Sequence, residues 1–271
     1  MLRKLYYLLP AEMRYWARKA YYLPVDLFKK RSDLIPPKGL IYTGSGDFER
    51  QGKEWIEFFK QYANLNEKSK VLDIGCGIGR IAIPMTDLLK QGEYNGFDAV
   101  KQGIDWCATK IAARFSNFHF LYIDLFNDLY KSKGINAATF EFPYPKEQFD
   151  FACAISVFTH MIPSEVENYL EQSSKVLKKG AYLVGTFFIL DEESKKLTLE
   201  QTSFNFKYEY EHYALMDDAV KSANVAFDRA YLEQLVSAKG FEIDSQVKGY
   251  WCGRPKTHTV GFQDIMILRK M

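Results

Sequence analysis

Hydrophobic and polar positions follow two rhythms along the chain. Short, nearly unbroken apolar runs recur at 71–74, 94–97, 118–123, 149–158 and 181–190. Between them, apolar residues fall at three- and four-residue steps, as in Trp55, Phe58, Phe59 and Tyr62, or Val166, Tyr169, Leu170 and Val176. Runs of the first kind suit strands buried on both faces, and spacing of the second kind suits amphipathic helices. The pattern predicts helices over 49–62, 81–89 and 100–114, then one from Pro163 closed by Gly180. It predicts strands over 71–74, 94–98, 118–123, 149–158 and 181–190, a loop-rich connection over 126–148, and at the end a helix over 227–239 and strands over 241–248 and 261–269. Strand–helix alternation of this kind implies a parallel sheet with helices on both faces.

Two stretches depart from that rhythm. In 191–228, Phe204, Phe206, Tyr208, Tyr210 and His212 alternate strictly, which predicts an exposed strand with one aromatic face. Such a segment serves either as a wall or lid beside a cleft or as a cover for the core. In 1–31, apolar residues such as Leu5, Leu9, Met13, Trp16 and Ala20 are spaced as in an amphipathic helix, interrupted at Pro10 and ended near Pro24. This segment holds eight basic residues against two acidic ones, a net of +6. The whole chain carries only +2, which leaves −4 for the remainder. The segment is expected to pack on the domain or close its site, or else to contact a membrane interface or an acidic partner.

Composition narrows the function classes. The chain has 271 residues, 47% hydrophobic and 26% charged, as a packed globular core requires. Its weak net charge gives no general attraction for nucleic acid. The four cysteines are scattered, with no zinc spacing, so no metal site is expected and a reducing, cytoplasmic compartment is. No apolar run reaches membrane-spanning length, and the basic N-terminus lacks a signal-peptide core.

The candidate chemistry lies where the first strand meets the next helix. Gly75, Gly77 and Gly79 stand at alternate positions, with Cys76 between them and Arg80 following. Residues without a Cβ permit a tight turn and close approach of a ligand to the backbone. The turn departs from the dinucleotide pattern, because Arg80 occupies the place of the last glycine. Arg80 is suited to a ligand carboxylate, or to a salt bridge with a neighbouring acid. Asp73 precedes the turn by two residues. Asp98, followed by Ala99, ends the second strand about twenty residues later, at the distance from which a carboxylate accepts ribose hydroxyls. Asp124 and Leu125 follow the third strand. Ser156 and His160 lie toward the carboxyl end of the fourth, where ligands bind in open α/β sheets. The ordinary pKa of His160 suits a general base, although a polar cap is an alternative role. Asp47 is either a helix cap or a ligand contact.

In the order GCGIGR, GFD, SVFTHM and LKKGAYLVGTFF, residues from about 50 to 190 resemble class I S-adenosylmethionine-dependent methyltransferases. The spelling is similar to a bacterial branch of that family acting on small molecules, glycans or lipids. The resemblance implies a three-layer, Rossmann-like α/β fold with a mostly parallel seven-stranded sheet and an antiparallel C-terminal hairpin. It places a methyltransferase domain over 46–271, to which the chain adds a helical extension over 1–45 and an insertion at about 191–228. S-adenosylmethionine is the implied cofactor. Asp73 and the turn would face its methionine part, with Asp124 and Leu125 on the adenine. The implied reaction is methyl transfer to an oxygen or nitrogen of a small-molecule, glycan or lipid-linked acceptor. An aminopropyl transferase, or a binder that does not turn over, would use the same pocket.

Overall fold

A computed structural model describes residues 11–42, 44, 46–126, 133–199, 204–256 and 261–271, without the side chains of residues 11, 12 and 14. In chain order its first elements are α1 (Ala11–Phe28), α2 (Phe48–Ala63), β1 (Lys70–Ile74), α3 (Ala82–Leu88), β2 (Glu93–Asp98) and α4 (Lys101–Cys107). They are followed by β3 (Phe118–Tyr122), β4 (Phe149–Ala154), α5 (Pro163–Val176) and β5 (Leu177–Phe187). The remainder comprises β6 (Ile189–Leu190), α6 (Glu192–Leu199), β7 (Tyr208–Glu209), β8 (Tyr213–Leu215), β9 (Val225–Asp228), α7 (Arg229–Ala238), β10 (Phe241–Val247) and β11 (Asp264–Lys270).

Seven strands form one sheet in the order β10-β11-β5-β4-β1-β2-β3. The first five strands of the chain pair in parallel, and β11 runs antiparallel to both its neighbours. Alternation along β1 divides the core. Val71 packs with Phe59 of α2, Met85 of α3 and Cys107 of α4, whereas Leu72 and Ile74 face Leu170 of α5 and Leu232 of α7. The result is the expected three-layer α/β fold. The chain leaves β1 toward β2 and β3, then returns to build β4 and β5 on the other side. Ligand crevices form where the strand order reverses in this way. Among the described residues, no helix is long and apolar enough to cross a membrane.

Several elements differ from the sequence expectation, each for a local reason. The fourth strand stops at Ala154, because Ser156 adopts φ +58° and turns the chain into a short 3-10 helix, Phe158–His160. α5 ends at Val176, and Gly180 sits not at a helix end but inside β5. There a bulge separates the pairs Phe149–Leu177 and Phe151–Tyr182. α1 continues through Pro24 to Phe28; the missing N–H of proline falls on a face exposed to solvent. Pro10 lies outside the described residues.

The long aromatic strand does not form. Only Tyr208 and Glu209 are paired, in a second sheet of order β6-β9-β8-β7. Phe206 is buried beside Phe188, Phe204 and Trp251, while Tyr208 and Tyr210 are exposed. The segment also contains α6, a helix that the alternation did not suggest.

Candidate cofactor and acceptor site

The turn after β1 is pinned to the end of β2. The N–H groups of Gly75 and Cys76 both donate to the Phe97 carbonyl, at 2.9 and 3.0 Å. Gly75 and Gly77 have φ of +73° and +58°, in the left-handed region. A Cβ on Gly75 would also lie 2.5 Å from Cγ2 of Val157. The turn runs to Ile81 before α3 begins, so the backbone of the loop itself walls the space above β1.

Asp98 closes this loop from the next strand. Its Oδ2 accepts the Gly77 N–H at 2.8 Å and its Oδ1 the Val100 N–H at 2.7 Å. Burial pushes its pKa up to about 6, against the lowering effect of those N–H bonds. Asp73 lies deeper, accepting from the Tyr94 hydroxyl and, at 3.5 Å, from the Cys153 thiol. Burial raises it to about 6 as well, with both bonds opposing.

These residues border a cavity of about 280 Å³ at the carboxyl ends of β1, β2 and β4. Asp73, Gly75, Cys76, Gly77 and Arg80 form its loop side, and Asp98 and Ala99 its β2 side. Leu125, Ser156 and His160 complete the predicted residues that line it. Two predicted contacts lie elsewhere. Gly79 is behind the loop, where a Cβ would meet Ile111 at 2.9 Å and Cys107 at 3.1 Å, so its role in the structure is close packing. Asp124 is exposed beyond the end of β3 and accepts the Tyr122 hydroxyl at 3.1 Å; the wall there is Leu125 and Phe126. Asp47 caps α2 by accepting the Arg50 N–H at 3.1 Å. The guanidinium of Arg80 lies over the Phe48 ring, 5.5 Å from its centroid, and burial lowers its pKa.

His160 is held from the insertion. Its Nδ1 lies 2.8 Å from the Ser222 carbonyl. A carbonyl only accepts, so Nδ1 carries the proton of the neutral ring and Nε2 is left with a lone pair. Burial lowers the pKa, and the Ser222 and Ala223 carbonyls oppose that shift. Sequence reasoning missed Tyr42, Glu165 and Tyr169 in the lining. Tyr42 belongs to no periodic element, and Tyr169 reads as an ordinary core position of α5. It also missed Gln263, which accepts the Ser156 hydroxyl at 2.9 Å and donates to Thr159 at 3.4 Å.

A parallel sheet of this order, with a glycine turn and a strand-end acid around one cavity, defines an α/β protein of the nucleoside-cofactor-binding class. A family model described as a methyltransferase domain matches residues 48–246. The chain belongs to that family and is an S-adenosylmethionine-dependent methyltransferase. A solved S-adenosylmethionine-dependent methyltransferase from Methanosarcina mazei is 25% identical, with 79% of this chain and 97% of that one covered at a TM-score of 0.51. The PH0226 protein of Pyrococcus horikoshii (17% identical, 84% and 92% covered, TM-score 0.58) shares the fold. The CcbJ methyltransferase of Streptomyces caelestis does so too, at 15% identity, 89% and 93% coverage and a TM-score of 0.53.

The residues present fit the cofactor. Asp73 is buried and Asp98 half-buried, with no cationic partner for either among the described residues, an arrangement that favours a ligand bringing positive charge and hydroxyl donors. The Asp98 carboxylate accepts the Gly77 and Val100 N–H groups, with the Ala99 N–H also acting on it, and its two oxygens retain capacity for a further donor. Ala99, Leu125 and Phe126 supply an apolar wall for a flat base.

Proposed function

We propose that this methyltransferase acts on a hydroxyl oxygen, with a nitrogen as the other acceptor, of a small-molecule, glycan or lipid-linked substrate, and that His160 is its general base. The observation that carries the reading is the bond from His160 to the Ser222 carbonyl. It fixes the tautomer that leaves Nε2 able to take a proton, on a ring whose burial keeps it neutral near pH 7. S-adenosylmethionine supplies a methyl group already activated on a sulfonium, so the protein's tasks are positioning, exclusion of water and removal of one proton. In this reading Asp98 accepts the ribose hydroxyls, Asp73 faces the ammonium end and Arg80 the carboxylate. Gly75, Cys76 and Gly77 provide a surface without bulky side chains. Ala99 and Leu125 pack against the base, and Ser156 borders the transferred methyl. An aminopropyl transfer gains no support from the strand end, because the three cavity residues directly after β4 are Ile155, Ser156 and Val157; the acid farther on, Glu165, accepts the Ile162 N–H at 2.9 Å at the start of α5.

The test is transfer of labelled methyl onto extract fractions enriched in lipids, glycans or small metabolites, with wild type and His160→Ala. A positioned base contributes about 10²–10⁴-fold, so His160→Ala should lower kcat by that order and leave cofactor affinity intact. Unchanged kcat on the accepting fraction would remove His160 from the chemistry.

A further inference from the structure

α1 is amphipathic in the inverse sense. Its inner side is polar: Tyr15, Arg18, Lys19, Tyr22 and Asp26 are the half-buried positions. Asp26 accepts the N–H groups of Lys38 and Gly39 at 2.6 and 2.9 Å. Lys19 lies over the Tyr15 ring at 4.4 Å, and the Tyr15 hydroxyl meets Gln102 of α4. The outer side is apolar. Met13, Trp16, Leu23 and Leu27 recur at helical spacing, with Tyr21 and Phe28 beside them; Trp16 is 67%, Leu27 70% and Phe28 87% exposed. Burial alone would rotate such a helix the other way. A contiguous apolar stripe left in solvent marks a contact surface.

The charge around the stripe points to what covers it. Lys29, Lys30 and Arg31 follow α1 directly and are exposed, in a segment of net +6 on a chain whose remainder is −4. Tryptophan, tyrosine and leucine flanked by lysine and arginine suit the headgroup boundary of a bilayer, and clustered cations select an anionic one. We propose that α1 docks the enzyme on an anionic lipid surface, its apolar stripe entering the headgroup boundary and Lys29 and Lys30 meeting lipid phosphates. α1 packs against the segment that continues to Tyr42 and Gly44 on the cavity wall. The docking is independent of the acceptor; its use, presenting a lipid-linked acceptor, rests on the methyl-transfer reading above.

The test is cosedimentation of the full chain with vesicles of phosphatidylcholine alone or with a quarter phosphatidylglycerol. Salt is set at about 0.1 M or about 1 M, over which the screening length falls from about 10 Å to about 3 Å. Wild type should bind the anionic vesicles. Binding should weaken about tenfold or more in high salt, on neutral vesicles, and in Leu23→Ser/Leu27→Ser and Lys29→Glu/Lys30→Glu. Calorimetry on the same variants should give wild-type affinity for S-adenosylmethionine, which excludes misfolding. If the cofactor fails to bind wild type while vesicles are bound, docking stands and the functional reading falls. Wild type that ignores anionic vesicles overturns the proposal, as does equal binding by both variants. It is also overturned if wild type self-associates and Leu23→Ser/Leu27→Ser is monomeric, since a second copy would then cover the stripe.

Discussion

Asp98 at the end of β2 accepts the backbone N–H of Gly77 through Oδ2, at 2.8 Å, across twenty-one residues of chain. One carboxylate therefore braces the glycine turn and borders the cavity beneath it. Asp98→Ala leaves the Gly77 and Val100 N–H groups without their acceptor and removes the proposed partner of the ribose hydroxyls. Hydrogen bonds to a charged group contribute about 1.5–3 kcal/mol, so cofactor affinity should fall about 10–100-fold by calorimetry. An unchanged Kd would remove Asp98 from cofactor binding.

Gly75 tests the turn separately. An added Cβ there meets Val157 at 2.5 Å and holds a side chain at φ +73°. Left-handed backbone costs a non-glycine residue about 1–2 kcal/mol. Gly75→Ala should lower the melting temperature modestly and cofactor affinity more sharply, as the loop shifts away from β4. Wild-type affinity in a folded Gly75→Ala protein would make the turn structural only.

Asp73 sets a pH dependence of stability. Its folded pKa of about 6 exceeds the ordinary aspartate value of 3.8, so folding takes up a proton between them. The stabilisation from that proton is complete below the unfolded pKa and lost as pH rises through about 6. Asp73→Asn keeps the shape and removes the charge. It should be more stable than wild type by about 3 kcal/mol at pH 8, falling by about 1 kcal/mol at pH 5. Denaturant melts at both pH values check this; an advantage independent of pH would mean that Asp73 is not titrating.

His160 should shape the rate profile. A base acts only when neutral, and burial places its pKa below the ordinary histidine value. The acid limb of kcat should therefore fall below about pH 6.5 and be flat above it. A limb at or above that value would assign the titration to another group.

Asp264 holds the second sheet to the first. It accepts the Ile189 N–H at 2.9 Å, the Gly249 N–H at 2.8 Å and the Trp251 indole at 2.6 Å, and it pairs with buried Arg254 at 3.2 Å. Asp264→Ala leaves a buried cation and three donors without this acceptor, which should cost about 3–5 kcal/mol. Asp264→Asn, retaining acceptor oxygen, should cost less. Equal losses would show that charge, not hydrogen bonding, is what matters.

Much of the architecture was legible in local pattern. The apolar runs at 71–74 and 149–154 are long enough for strands, and a strand buried on both faces admits few polar residues, so their place in a parallel sheet followed. The glycines at 75 and 77 were legible because their backbone conformation excludes most other residues, and Asp98 because its spacing from them is set by one helix and one strand. His160 was found from its position after a strand. Its tautomer was not, since that depends on Ser222, sixty-two residues away.

What the sequence determined by itself was therefore the strands and helices of the large sheet, the glycine turn and the acids toward the carboxyl ends of β1 and β2, all consequences of interactions within a few residues. The tertiary structure decided where a strand yields to a turn at Ser156 and which alternating aromatics go inward. It placed Phe206 with Phe188 and Trp251 and left Tyr208 and Tyr210 in solvent, because burial depends on what stands opposite and not on periodicity. The same holds for α1: its spacing announced two faces, but only the partners of Asp26 and Tyr15 determined that the polar face is inside. Hydrophobicity along a chain carries no information about which surface a distant segment will offer, and a hydrogen bond to a backbone N–H can outweigh it.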